Sequence, residues 1–266
     1  MKYLDVFRIL DKLSLAMEVG VPNVLHSIGA KSPLALGPTI EALSLSKTQK
    51  DIRTLIQRHQ ANNMLRTLDA AQNMPLEPQF GGENNYTWGF FSLRNTTADE
   101  VRNPLYEFEL EARKSMQLKK GGNQVKSRLC GALQELVDNI LDHSSAPQTG
   151  IVGFVGTSSM FELSVGDAGI GMLASMRSNP TFSYLMDSGS AMEAGLKDGN
   201  SRYGMVDRGY GFGTLFRALN TLNATLRFRS GDYALEVSGK SPSLRDARIS
   251  QKATLRGFVV SLALDL

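Results

Sequence analysis

Residues 125–143 read VKSRLCGALQELVDNILDH, and residues 151–171 read IVGFVGTSSMFELSVGDAGIG. In the first stretch Leu129, Leu133, Leu136, Val137 and Ile140 recur at three- and four-residue steps, which predicts an amphipathic helix with that stripe in the core. In the second, residues 151–155 and 161–165 are short, β-branched or aromatic, and bounded by turns. They predict two strands of an antiparallel sheet. Glu135, Asn139, Asp142 and His143 fall on a polar stripe beside the apolar one, given 3.6 residues per helical turn.

The same pattern extends outward. Residues 225–228, 233–237 and 258–264 read as further strands, giving an α+β unit of about five strands with two or three helices on one face. Upstream, residues 2–19 and 39–72 carry helical periodicity, with Leu4, Phe7, Ile9, Leu10 and Leu13, then Ile52, Leu55, Ile56, Leu65 and Leu68. Residues 75–104 are rich in Gly, Asn, Pro and Thr around one strand-like run at 86–93. The reading is a mainly helical region of unknown role over 1–105, followed by an α/β unit over 106–266.

Composition narrows the function classes. The chain has 266 residues, 42% hydrophobic and 21% charged, with a net charge of +3, as expected of an ordinary globular protein. No basic patch argues for nucleic acid. One cysteine, Cys130, excludes an internal disulfide, and three scattered histidines make a histidine metal cluster a poor expectation. Asp5, Arg8, Asp11, Lys12 and Glu18 interrupt any apolar signal core, so the expectation is a cytoplasmic chain with no membrane association.

Three motifs stand in order: Glu135-Leu-Val-Asp-Asn139 on the helix, Asp167-Ala-Gly-Ile-Gly171 after a strand, and Gly209-Tyr-Gly-Phe-Gly213-Thr214 before a helical stretch. A carboxylate and a carboxamide four residues apart share a helix face, so Asn139 can offer an oxygen to Mg²⁺ while Glu135 orients or deprotonates a water. Asp167, followed by glycines that leave room for close approach, can accept a hydrogen bond from an exocyclic amine. Gly209, Gly211 and Gly213 would let backbone N–H groups come close to phosphates at a helix start. The ordinary alternatives are a surface pair, an Asp-Gly turn and a hinge.

Together, ELVDN with ILDHS, SVGDAGIGM and DRGYGFGTLFRA resemble the N, G1 and G2 boxes of the GHKL superfamily of histidine-kinase-like ATPases, over about residues 110–266. The intervening segment, 191–202, is similar to the ATP lid of stand-alone bacterial members. The resemblance implies a Bergerat-type α/β sandwich, ATP and Mg²⁺ as cofactors, Asn139 as metal ligand and Glu135 as the water-activating catalytic residue. It further implies adenine recognition by Asp167 with Gly169 and Gly171 beside the base, and phosphate contacts from Gly209, Gly211, Gly213 and Thr214, with Asp142 also in the nucleotide site. Asp142 stands where many sensor kinases have Lys, and Gly257-Phe258 where the family often has Gly-Thr.

The expected role is a cytoplasmic regulator or protein-kinase-like switch acting on a partner protein, with a homodimer as one arrangement. The alternatives are an ATP-hydrolysing dimerisation clamp, disfavoured because the sequence ends at Leu266 directly after the ATPase-like region, and a degenerate fold serving as an interaction module. A relaxed phosphate-loop pattern at Gly239-Lys240-Ser241 is set aside, because residues 234–237 alternate like a strand and Pro242 follows where a helix should propagate. His143 reads as a cap or packing residue at its helix end. His59 lacks the neighbours of a phosphoacceptor.

Overall fold

The computed structural model describes residues 3–18, 35–49, 52, 77–83, 85–94, 97–118, 122–198, 219 and 222–266. Its fold is α+β. Among the described residues, helices α1 (Tyr3–Glu18), α2 (Leu36–Leu45), α3 (Ala98–Ser115), α4 (Gly122–His143), α5 (Gly171–Arg177) and α6 (Ser188–Asp198) accompany six strands. The strands are β1 (Gln79–Glu83), β2 (Tyr86–Ser92), β3 (Ile151–Gly156), β4 (Met160–Gly166), β5 (Asn223–Lys240) and β6 (Arg248–Asp265). They form one open sheet in the order β1-β2-β3-β4-β6-β5, with every pair antiparallel.

Strand periodicity sorts the side chains. Val152, Phe154, Phe161, Leu163, Val165, Phe228, Val260 and Leu262 point to one face, where they meet Leu129, Leu133, Leu136, Val137 and Ile140 of α4 and Leu105 and Phe108 of α3. This front face is the main core. The stripe of α4 is the one its spacing predicts, and Cys130 is buried beside it, its thiol pushed up to about 11 by burial. α3 is set by a capping box in which the Thr97 side chain accepts from the Glu100 N–H and the Glu100 carboxylate accepts from the Thr97 N–H.

The opposite face corrects the expectation that helices lie on one side. Ile151, Val155, Leu255 and Val259 pack against Leu36, Ile40 and Leu43 of α2 and Leu10 of α1. All ten residues of α2 are buried, as befits a helix sandwiched between layers. β3, buried at every position, already carries the signature of a strand covered on both faces.

Charge holds this back layer. Arg227, alternating with Phe228 on β5, donates from Nε to Glu41 Oε2 at 2.9 Å and from Nη2 to Glu41 Oε1 at 2.9 Å and Asp11 Oδ1 at 2.5 Å. Nη1 reaches Glu236, and the guanidinium lies 4.7 Å from the centre of the Phe7 ring. Burial opposes its charge, but Glu41 and Asp11 outweigh that and hold it protonated. Arg229 Nε lies 3.3 Å from Glu41 Oε1, and its Nη2 donates to the Ala253 carbonyl at 2.5 Å.

Within residues 1–105, expected to be mainly helical, β1 and β2 join the sheet, β2 over the strand-like run at 86–93, and α3 runs through residue 105. The two short strands expected at 225–228 and 233–237 are one long strand, β5, interrupted by register shifts at Ser230, Gly231 and Tyr233. Residues 234–240 lie in β5, which leaves the Gly239-Lys240-Ser241 pattern without a helix to open. The helical reading beyond residue 52, with His59, lies outside the described residues.

Candidate functional site

β4 ends at Gly166, and the chain turns at once through Asp167, Ala168, Gly169 and Ile170 into α5. Four hydrogen bonds fix this turn. The Asp167 N–H donates to the Phe258 carbonyl at 2.9 Å, the Ala168 N–H to Thr149 Oγ1 at 2.9 Å, the Ile170 N–H to the Ser144 carbonyl at 2.8 Å and the Met172 N–H to Ser230 Oγ at 2.8 Å. Two glycines are required for steric reasons. A Cβ on Gly169 would come within 2.0 Å of the Ser144 carbonyl oxygen, and one on Gly257, at φ +79°, within 2.3 Å of the Asp167 carbonyl oxygen.

Asp167 is 1% exposed. Its Oδ1 accepts from the Gly169 N–H at 2.5 Å, while Oδ2 is buried with no hydrogen-bond partner among the described residues. Burial pushes the carboxyl up to about 6, against the pull of the Gly169 N–H and of the Lys47 ammonium just beyond α2. A buried acceptor without a donor costs free energy of order 1–3 kcal/mol.

The pocket beside it is lined by Leu136, Asn139, His143, Ser144, Asp167, Gly171, Met172, Ser175, Phe228 and Phe258. It encloses about 540 Å³ of empty space including the part open to solvent. Apolar walls with a few converging polar groups are the usual chemistry of a small-molecule site. α4 brings Asn139 and His143 to one wall, and the Phe228 and Phe258 rings, 6.0 Å apart, form part of another.

The structure therefore brings together Asn139, Asp167 and Gly171 from two motifs 28 residues apart along the chain, counting from 139 to 167. Gly169 supports the turn without lining the pocket. Glu135, one turn before Asn139 on α4, and the exposed Asp142 are not among the lining residues. Gly209, Gly211, Gly213 and Thr214 lie outside the described residues. His143, expected as a cap or packing residue at its helix end, lines the pocket. Thr149 and Ser230 were missed, and Gly257, singled out only for its place in the Gly257-Phe258 pair, is a strand glycine of the kind that signals close backbone approach.

Among the described residues no group of three or more His, Cys, Asp or Glu side chains could hold a metal ion, and no helix is long and apolar enough to cross a membrane. Compared with known proteins, the chain matches no family model, and no curated sequence matches it.

Proposed function

We propose that this pocket binds ATP, with Asp167 Oδ2 accepting a hydrogen bond from the adenine amine, and that the chain is a Bergerat-type, GHKL-like ATP-binding protein. The observation that carries the reading is the buried, unpartnered Oδ2 beside an apolar pocket that also holds Asn139. An aminopurine supplies both things this pocket lacks: a flat apolar body and an N–H donor. Mg²⁺ keeps several waters and takes few protein ligands when phosphates are present, so the Asn139 carboxamide suffices on the protein side. Glu135, on the same helix, would orient or deprotonate a water near the phosphates.

At the level of biological role, the reading is an ATP-dependent regulator or phosphotransfer switch acting on a partner protein. Calorimetric titration of Mg-ATP tests the binding step. Asp167→Asn is the informative variant, because its one oxygen would remain with the Gly169 N–H and its NH₂ would face the adenine amine, donor against donor. Binding is expected in wild type and lost in Asp167→Asn. Absence of binding in wild type at millimolar Mg-ATP overturns the proposal.

A further inference from the structure

Strand β5 serves two layers at once. Its odd positions Arg227 and Arg229 bind Glu41 of α2, and Arg227 also binds Asp11 of α1, on the back of the sheet. Its even positions Phe228 and Ser230 face the front: Phe228 lines the pocket, and Ser230 Oγ accepts from the Met172 N–H at 2.8 Å while donating to the Gly257 carbonyl at 3.0 Å.

The contacts leave little slack. Ser230 is 1% exposed, and a Cβ on Gly171 would come within 2.9 Å of its hydroxyl oxygen and 3.0 Å of the Gly257 carbonyl oxygen. Gly257 in turn abuts the Asp167 carbonyl, and the next residue, Phe258, accepts from the Asp167 N–H. α2 reaches the same turn from behind. Its first N–H, at Leu36, donates to Glu162 Oε2 at 2.8 Å, Gly37 meets Ser261, and Ile40 lies against Gly166, the residue before Asp167.

We propose that Arg227 and its carboxylate partners Asp11 and Glu41 are positioning residues for the Asp167 pocket: α1 and α2, pinned to the back of β5, fix the strand whose front carries Phe228 and Ser230. The N-terminal helices are thus a control point for ligand binding, since whatever loosens their ionic hold loosens the turn that presents Asp167. None of the three cluster residues lines the pocket, so an effect on binding passes through β5. Only the affinity arm of the test rests on the ATP reading.

The test uses the full chain with Asp11→Asn, which weakens one partner of Arg227 at a site 12% exposed, and Glu41→Gln, which keeps the size of the side chain while removing its charge and turning one of the two oxygens that accept from Arg227 into an NH₂ donor. Amide hydrogen exchange is measured without nucleotide. Faster exchange at Met172 and Gly169 is expected, at least tenfold in Glu41→Gln and less in Asp11→Asn, with β3 and β4 amides such as Val152 and Leu163 unchanged. A merely structural role would raise exchange uniformly through the sheet, and that result, or no change at Met172, overturns the proposal. Mg-ATP affinity of the folded variants is then expected to fall by at least fivefold. Wild type that binds no ATP defeats the nucleotide reading alone and leaves the exchange result to decide the inference; wild-type affinity in both variants defeats the inference.

Discussion

The two faces of the sheet solve the burial problem in opposite ways. The front is an apolar core, with Phe108 making ring contacts to Phe80, Phe91 and Phe154 and with the pocket opening at its edge. The back buries two guanidinium groups together with Glu41 and Glu162 under α1 and α2, and the half-buried Asp11 and Glu236 complete the ion pairs. Apolar burial is tolerant of small displacements, whereas buried charge demands its partners in place. The front thus supplies stability, and the back fixes where α1 and α2 sit.

The largest expected effect breaks the back. Glu41→Ala removes a carboxylate that is 1% exposed and leaves Arg229 without its carboxylate partner, so a loss of about 3–5 kcal/mol is expected in denaturant unfolding. Loss below 1 kcal/mol would show the cluster to be ornamental. On the front, Phe108→Ala is expected to cost about 3–5 kcal/mol by loss of apolar area and the cavity left behind.

A pH titration sharpens the contrast further. Glu162 is pushed up to about 7, chiefly by burial and against the pull of the Leu36 and Gly37 N–H groups. Its folded-state value lies above its unfolded one, near 4.5, so the folded state binds the proton more tightly. The stability this proton contributes is complete below about pH 4.5 and is lost as pH rises through about 7. Glu162→Gln should therefore gain on wild type with rising pH, by a few kcal/mol at most. Parallel pH curves for the two proteins would refute the assignment. The smallest effect belongs to the end of α3: Thr97→Ala removes the N-cap and should cost about 1 kcal/mol in the same unfolding assay.

The sequence showed the front face far better than the back. Leu129 to Ile140 carry an unbroken helical stripe, and the strands at 151–155 and 161–165 are local signals that no distant residue needed to complete. Nothing local to Arg227 and Arg229 shows that they are buried, because their partners Asp11 and Glu41 lie 216 and 186 residues from Arg227 and no periodicity links them. For the same reason the helices were expected on one face. The long β5 was split in two at Gly231, whose φ of +56° marks a bulge within the strand and not its end.

At the site, Asp167 and Asn139 were legible because a carboxylate before glycines and a carboxamide on a polar helix stripe are local patterns. Their supports were not. Thr149 and Ser230 act through one hydrogen bond each to the turn's backbone, from distant segments, and a lone hydroxyl residue carries no pattern of its own. His143 sits where the polar stripe of α4 ends, and only the folded turn at Ser144 shows that this end borders the pocket.

The central claim is that Asp167 keeps an unsatisfied acceptor for a ligand's amine, and one pair of measurements on wild type and Asp167→Asn tests it. Because burial holds the Asp167 carboxyl at about 6, its charge costs the empty protein stability at neutral pH, and the neutral amide relieves that cost. The account predicts that at pH 7.5 Asp167→Asn melts at a higher temperature than wild type yet no longer binds Mg-ATP. A variant that is less stable and still binds with wild-type affinity would contradict it.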